Sequence, residues 1–294
     1  MSDRRVPRRT LLIMLAAVLP AACGGGSHPD LTLVSNDWVQ KLCTAINRDC
    51  LQVEDITKSG DGHELRVVFR EELIALSPSG EARAFRKPAS LAWMNDDHEW
   101  IGWTNDLTRG FFLKSDSVQT YERGYPKFDS GGRYYAVTEG VTTRLFRIKP
   151  LREVATMPLD FVSGVFARPP LVFVAGPDRE RHRMHVYTYR EGDGGVEFIG
   201  VRDIQRPDAS TSPFYLSDVT APGDYFVMHE TPDAAGTAAA AVRVYSAAAG
   251  SFTSIKTDAL PWATLFLSDD LRKRVNGRSA RFSLAPSKSA DSRR

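Results

Sequence analysis

The chain lacks any apolar run long enough to cross a membrane as a helix. Its longest, Leu11–Leu19, falls well short of the about 20 residues that a spanning helix needs. Charge of one sign is also missing. The 294 residues carry 38 basic and 36 acidic side chains, a formal net charge of +2. What basicity there is lies at the ends. Residues 1–22 hold four arginines and one aspartate, and residues 271–294 hold eight basic residues and one acidic. The intervening body has 26 basic residues against 34 acidic, so no nucleic-acid partner is expected. Cysteine is scarce: Cys23, Cys43 and Cys50 are too few for a disulfide-built scaffold. No phosphate-binding loop, dinucleotide fingerprint or Gly-x-Ser-x-Gly elbow occurs, which removes the sequence signatures of those nucleotide and hydrolase sites. Between residues 60 and 270 nothing sustains a long amphipathic helix.

What is present begins with an address. Arg4, Arg5, Arg8 and Arg9 precede the apolar run, and Ala21-Ala22-Cys23 follows it. A charged segment, a short apolar segment and small residues make an export signal over 1–22. Leu19-Pro20-Ala21-Ala22-Cys23 resembles the lipobox of bacterial lipoprotein precursors, with Pro20 standing where Leu is usual. The resemblance implies cleavage before Cys23, acylation of that thiol and attachment to a membrane. Cleavage without lipidation is the alternative. Gly24-Gly25-Gly26-Ser27 reads as a flexible tether over 23–30. No Asp follows Cys23, which by the same resemblance implies the outer membrane rather than the inner one, with the protein facing the periplasm. Arg8-Arg9-Thr10-Leu11-Leu12 also resembles a twin-arginine signal, although an Arg-rich leader accounts for it as well.

Cys43 and Cys50 remain, with six residues between them. In an oxidising compartment such a pair is expected to form a disulfide. A metal pair is the alternative, but no further Cys or His accompanies it. Leu33, Val34, Trp38, Leu42 and Ile46 have helical spacing, so residues 31–60 are expected to hold a short helix, capped by Asn36 or Asp37 and stapled by that disulfide.

From residue 61 to 270 the pattern is all-β: about twenty short runs rich in β-branched and aromatic residues, separated by Gly, Pro, Asp and Asn. One unit recurs, an apolar strand end, a polar turn and a second apolar strand. Copies start near Leu91, Phe128, Phe161, Phe214 and Phe266, spaced at roughly 35 to 50 residues, the period of a propeller blade. Phe128-Asp129-Ser130-Gly131-Gly132-Arg133-Tyr134 resembles the inner turn of WD40-like and TolB-like blades. The expected fold is a β-propeller of about five blades, closed by strands from 64–85, with a β-sandwich pair as the alternative. The Ala-rich stretch 234–250 is read as a loose hairpin. The basic segment 271–294 is expected to be a disordered tail, free to touch anionic headgroups or simply solvated.

Chemistry-bearing residues are scattered. His182 and His185 are three apart on a strand-like stretch, which sets them on opposite faces, and Arg179, Arg181 and Arg183 surround them. No metal and no cofactor is expected. Asp129-Ser130-Gly131-Gly132 superficially matches the nucleophile segment of trypsin-like proteases, but Phe128 and Arg133 replace that pattern's flanking Gly and Pro, and a turn is the better reading. Asp96-Asp97-His98-Glu99 reads as a hairpin tip. Of Trp93, Trp100 and Trp103, the last two differ by an odd number, so one is free to face outward as a contact residue. With no catalytic constellation assembled, the leading expectation is a non-catalytic protein-binding module in the envelope, such as an immunity or assembly factor. An envelope-polymer hydrolase or lyase using a propeller funnel, and a purely structural envelope factor, are the alternatives.

Overall fold

A computed structural model describes residues 31–87, 92–103, 109–112, 118–120, 126–178, 182–206, 214–230, 241–255, 263–277 and 283–284. The chain opens with β1 (Leu31–Val34), α1 (Asn36–Ala45) and a 3-10 turn at Cys50–Gln52. The first blade is β2 (Val53–Lys58), β3 (Leu65–Phe69), β4 (Glu72–Leu76) and β5 (Glu81–Arg86). The second is β6 (Ala92–Met94), β7 (Trp100–Trp103), β8 (Arg109–Phe112) and β9 (Val118–Thr120). The third is β10 (Lys127–Phe128), β11 (Tyr134–Glu139), β12 (Thr142–Arg147) and β13 (Arg152–Met157). The fourth is β14 (Gly164–Arg168), β15 (Leu171–Pro177), β16 (Arg183–Gly192) and β17 (Gly195–Gln205). The fifth is β18 (Phe214–Val219), β19 (Tyr225–Glu230), β20 (Ala241–Ser246) and β21 (Ser251–Ile255). Then come β22 (Ala263–Phe266), α2 (Asp269–Asn276) and β23 (Ser283–Leu284). Within each blade successive strands pair antiparallel.

The blades form a ring because their middle strands are apolar on both faces. Side chains alternate across a strand, so each face of a blade meets a different neighbour. In β11, Tyr134 and Ala136 pack towards the fourth blade, and Tyr135 and Val137 towards the second. In β15, Val172 and Val174 turn to the third blade, and Phe173 and Ala175 to the fifth. In β4, Leu73 and Ala75 meet Met94 of the second blade, whereas Ile74 and Leu76 face the other way. That other way is the closing seam. β1 pairs antiparallel with β22, Leu31 opposite Phe266 and Val34 opposite Ala263. This two-stranded sheet packs on the fifth blade through Val227, Val242 and Phe266. It packs on the first through Val34, Leu265 and the buried faces of α1 and α2. Six apolar seams thus join five blades and a two-stranded sixth sector into a closed ring, a β-propeller. The described sheets make this ring rather than a sandwich of two sheets.

Several local expectations change. Closure comes from the far ends of the described chain, β1 and β22, and residues 65–86 belong to a full blade instead. The segment 31–60 does hold a helix, yet it also supplies β1 and the inner strand β2. The helix is capped by Ser35, whose hydroxyl accepts the Trp38 N–H at 3.2 Å, and not by Asn36 or Asp37. Cys43 and Cys50 are joined as a disulfide, with Cα atoms 5.6 Å apart, tying α1 to the turn that leads into β2. Beyond residue 270, α2 continues to Asn276, and Ser283–Leu284 adds a parallel strand to β5. Residues 241–255 form the hairpin expected of the Ala-rich region; 231–240 lie outside the described residues.

Candidate functional site: the central cavity

One strand of every sheet lines a central cavity of about 420 Å³, the first strand in each of the five blades and β22 in the sixth sector, with Thr57, Trp93, Phe128, Val165, Ser217 and Leu265 each contributed by a different sector. Because each blade winds outward from its inner strand, the turns that leave the inner strands gather at one end of the cavity.

Those turns share a hydrogen-bond pattern that only comparison across blades exposes. In the first, second, third and fifth blades a short polar residue ends the inner strand: Ser59, Asn95, Asp129 or Thr220. Its side-chain oxygen accepts the backbone N–H of Glu64, Glu99, Tyr134 or Tyr225 at 2.8–3.0 Å. Three residues after it the chain takes a positive φ, at Gly62 (73°), His98 (57°), Gly132 (67°) and Gly223 (94°). This geometry favours glycine. His98 holds it through Glu64 Oε2 at 2.9 Å and a stacked contact with Phe85. Asp129 is the most heavily used, accepting from Gly131, Arg133 and Tyr134 at 2.8, 2.6 and 2.9 Å. Asp129-Ser130-Gly131-Gly132 is therefore a turn, as is Asp96-Asp97-His98-Glu99.

Charged side chains close this end across the ring. Asp218 of β18, fully buried, takes Lys58 of β2 at 2.5 Å and Arg168 of β14 at 2.7 Å, and accepts the Phe266 N–H of β22 at 2.8 Å. Lys58 also donates to the Phe266 carbonyl at 2.5 Å. Arg168 donates to the Val219 carbonyl at 3.0 Å and reaches the Gly60 carbonyl of the first blade at 3.3 Å, directly across the ring. A second arginine, Arg66, with a side chain 2 % exposed, donates to the carbonyls of Met94, Asn95 and Ser130 at 2.7–3.1 Å. It thereby links the first, second and third blades.

The two cations share one carboxylate, and this shapes the titration of Asp218 and Lys58. Burial by itself would raise Asp218, but Lys58 and Arg168 outweigh it and hold the carboxyl below its ordinary value. Lys58 is lowered to about 8, first by burial and further by Arg168, with Asp218 pulling the other way. Lys58 is therefore the group of this cluster whose proton is loosened, because burial and a neighbouring cation both disfavour its ammonium.

Higher in the cavity, Lys87 holds Glu54 at 3.0 Å. Asp55 accepts only the Ile56 N–H among the described residues, and burial pushes its carboxyl up. Lys127 has no ionic partner among them. Trp93, 39 % exposed, lies 5.3 Å from the Phe128 ring.

The residues singled out from sequence fall mostly elsewhere. Cys23 lies outside the described residues. Cys43 and Cys50 pack in the apolar seam of the closing sector and do not line the central cavity. His185 bonds Asp203 at 2.7 Å on the outer half of the fourth blade, and His182 stands before that strand. Trp38 is buried in the seam, and the Trp103 side chain and Trp262 lie outside the described residues. Lys58, Arg66, Arg168 and Asp218 were not singled out. Their one signal is a charged residue inside or at the end of an apolar strand, as in Phe166-Ala167-Arg168.

No protein-family model and no curated protein matches the sequence. Among solved structures the chain is similar to Kluyveromyces lactis Hsv2, at 12 % identity and a TM-score of 0.46, over 71 % of this chain and 65 % of that one. It is also similar to the β-propeller domain of Myceliophteria thermophila Cps50 (Swd1), at 10 % identity and a TM-score of 0.45, over 70 % of this chain and 73 % of that one. The chain thus spans less than two thirds of the length of the Hsv2 structure. These likenesses concern the fold only, and the assignment of a β-propeller rests on the sheets and seams themselves.

Proposed function

We propose that the protein is a cell-envelope lipoprotein, anchored through Cys23 at the outer membrane, whose propeller serves as a non-catalytic binding module for another protein. One observation carries the non-catalytic part. The buried charges of the cavity floor are consumed in holding blades together: Lys58, Arg168 and Asp218 bond to one another and to backbone groups of several blades, and Arg66 bonds to carbonyls of the second and third blades. Groups so committed have no capacity left for a substrate. A propeller supports many unrelated activities, so the partner has to be found by experiment. The anchor is supported by the resemblance of Leu19–Cys23 to a lipobox and by the Gly-rich tether after it.

The test uses the full chain in its native envelope, fed a labelled fatty acid and cross-linked before solubilisation. The wild type is expected to take up label and to co-purify with one protein in fixed ratio. Cys23→Ser is expected to remain an unlabelled, uncleaved precursor. Normal labelling of that variant would overturn the anchor, and co-purification of glycan fragments in place of a protein would overturn the binding partner. The second reading, a hydrolase or lyase of an envelope polymer, draws on Asp55 and Lys127 lining one cavity without ionic partners among the described residues. It requires Asp55→Asn to abolish polymer cleavage.

A further inference from the structure

A propeller exposes the outermost strand of each blade, and an unpaired strand edge is a template for another strand. Among the described residues these edges are mostly short or covered. β9 has three residues, β21 five and β13 six, while β5 is overlaid by β23. β17 departs from this pattern. It runs for eleven residues with no strand on its outer side, and it carries Phe198, Ile199 and Val201 at 56, 46 and 45 % exposure.

A bulge gives this edge an unusual symmetry. Across the β16–β17 ladder, Arg190 faces Glu197, Tyr189 faces Phe198, Thr188 faces Gly200 and Tyr187 faces Val201, with Ile199 inserted. In a regular strand, residues three or five apart lie on opposite faces. The inserted residue shifts that alternation. Phe198 and Val201 therefore share one face with Tyr187 and Tyr189, whose rings lie 6.4 and 5.6 Å from Phe198. Glu197 and Arg202 share the other face. About the Ile199–Gly200 bond the strand reads the same outward in both directions: apolar, then charged, with the two charges of opposite sign.

We propose that β17 is the interface of a symmetric homodimer, in which two copies pair antiparallel about a two-fold axis through the Ile199–Gly200 bond. In that register Glu197 stands opposite Arg202 of the second copy, and Phe198 opposite Val201 of the second copy, each contact occurring twice. Opposed residues share a face, as a two-fold axis perpendicular to the sheet requires. Glu197 is already 3.7 Å from Arg190, so it sits between two cations. Arg202, without an ionic partner among the described residues, gains one. The bulge that elsewhere turns an edge away from pairing is here what makes self-pairing possible.

Sedimentation of the purified full-length protein is expected to show a concentration-dependent dimer. Glu197→Arg alone, or Arg202→Glu alone, sets like charges opposite each other twice and is expected to weaken the dimer by about tenfold or more. The double exchange, E197R with R202E, restores it. A Phe198→Cys chain mixed with a Val201→Cys chain is expected to form a disulfide-linked dimer, and neither chain alone does so. A monomer at every concentration, a dimer untouched by the single reversals, or cross-linking of either cysteine variant by itself would each overturn the proposal.

Discussion

Gly132 shows how tightly the inner turns constrain single positions. Its φ is +67°, and a Cβ placed there would lie 2.4 Å from the Asn95 Cβ and 3.0 Å from the Ile101 side chain. Gly132→Ala combines left-handed backbone strain with overpacking at the seam of the second and third blades, and is expected to cost about 3 kcal/mol, read from urea unfolding. Lys58 yields a prediction in pH. Its folded pKa is about 8 and its ordinary value 10.5, so between these limits the unfolded chain holds the extra proton and rising pH favours the fold. Tyr134 and Tyr189 act oppositely above pH 10, since their folded hydroxyls keep protons to about 12, chiefly because of burial. Stability is therefore expected to rise from pH 8 to about 10 and then to fall. In a Lys58→Met chain the rising limb disappears. An unchanged limb would mean that the ammonium is not the group titrating. None of this was legible in the sequence. Lys58, Arg168 and Asp218 come from three blades, and each in its own stretch looks like an ordinary residue at a turn.

The strands themselves were far more legible, because a blade's middle strands are buried on both faces. Leu171-Val172-Phe173-Val174-Ala175 and Tyr134-Tyr135-Ala136-Val137 read as continuous apolar runs, and the turn after Phe128 announced the hairpin that leads into the second of them. β1 and β22 were harder. Each is four residues long, and each pairs with a partner from the opposite end of the described chain, so no local period marks them. Their burial has left an imperfection. Thr32 is wholly buried in β1, and its hydroxyl has no hydrogen-bond partner among the described residues. A hydroxyl in that state costs more than the methyl group that would replace it. Thr32→Val is accordingly expected to stabilise the protein by about 1 kcal/mol, measured as a higher urea midpoint. A lower midpoint would mean that the hydroxyl is satisfied after all.

Across the whole molecule, six sectors share one design but differ in how they end. Four inner turns use the same side-chain-to-amide bond; the fourth blade uses Pro169-Pro170, and the sixth passes into α2. The sixth sector is built from both ends of the described chain, and this governs how the protein can come into being. Until residues 263–275 are available, the five blades are an open arc with two raw apolar walls, one carrying Ile74 and Leu76, the other Val227 and Val242. Such walls attract each other between molecules as readily as within one. β1, the first of the described strands, must wait unpaired until β22 has been made. A folding chain of this kind keeps both walls open until β22 and α2 are in place, when a single clasp shuts the two at once.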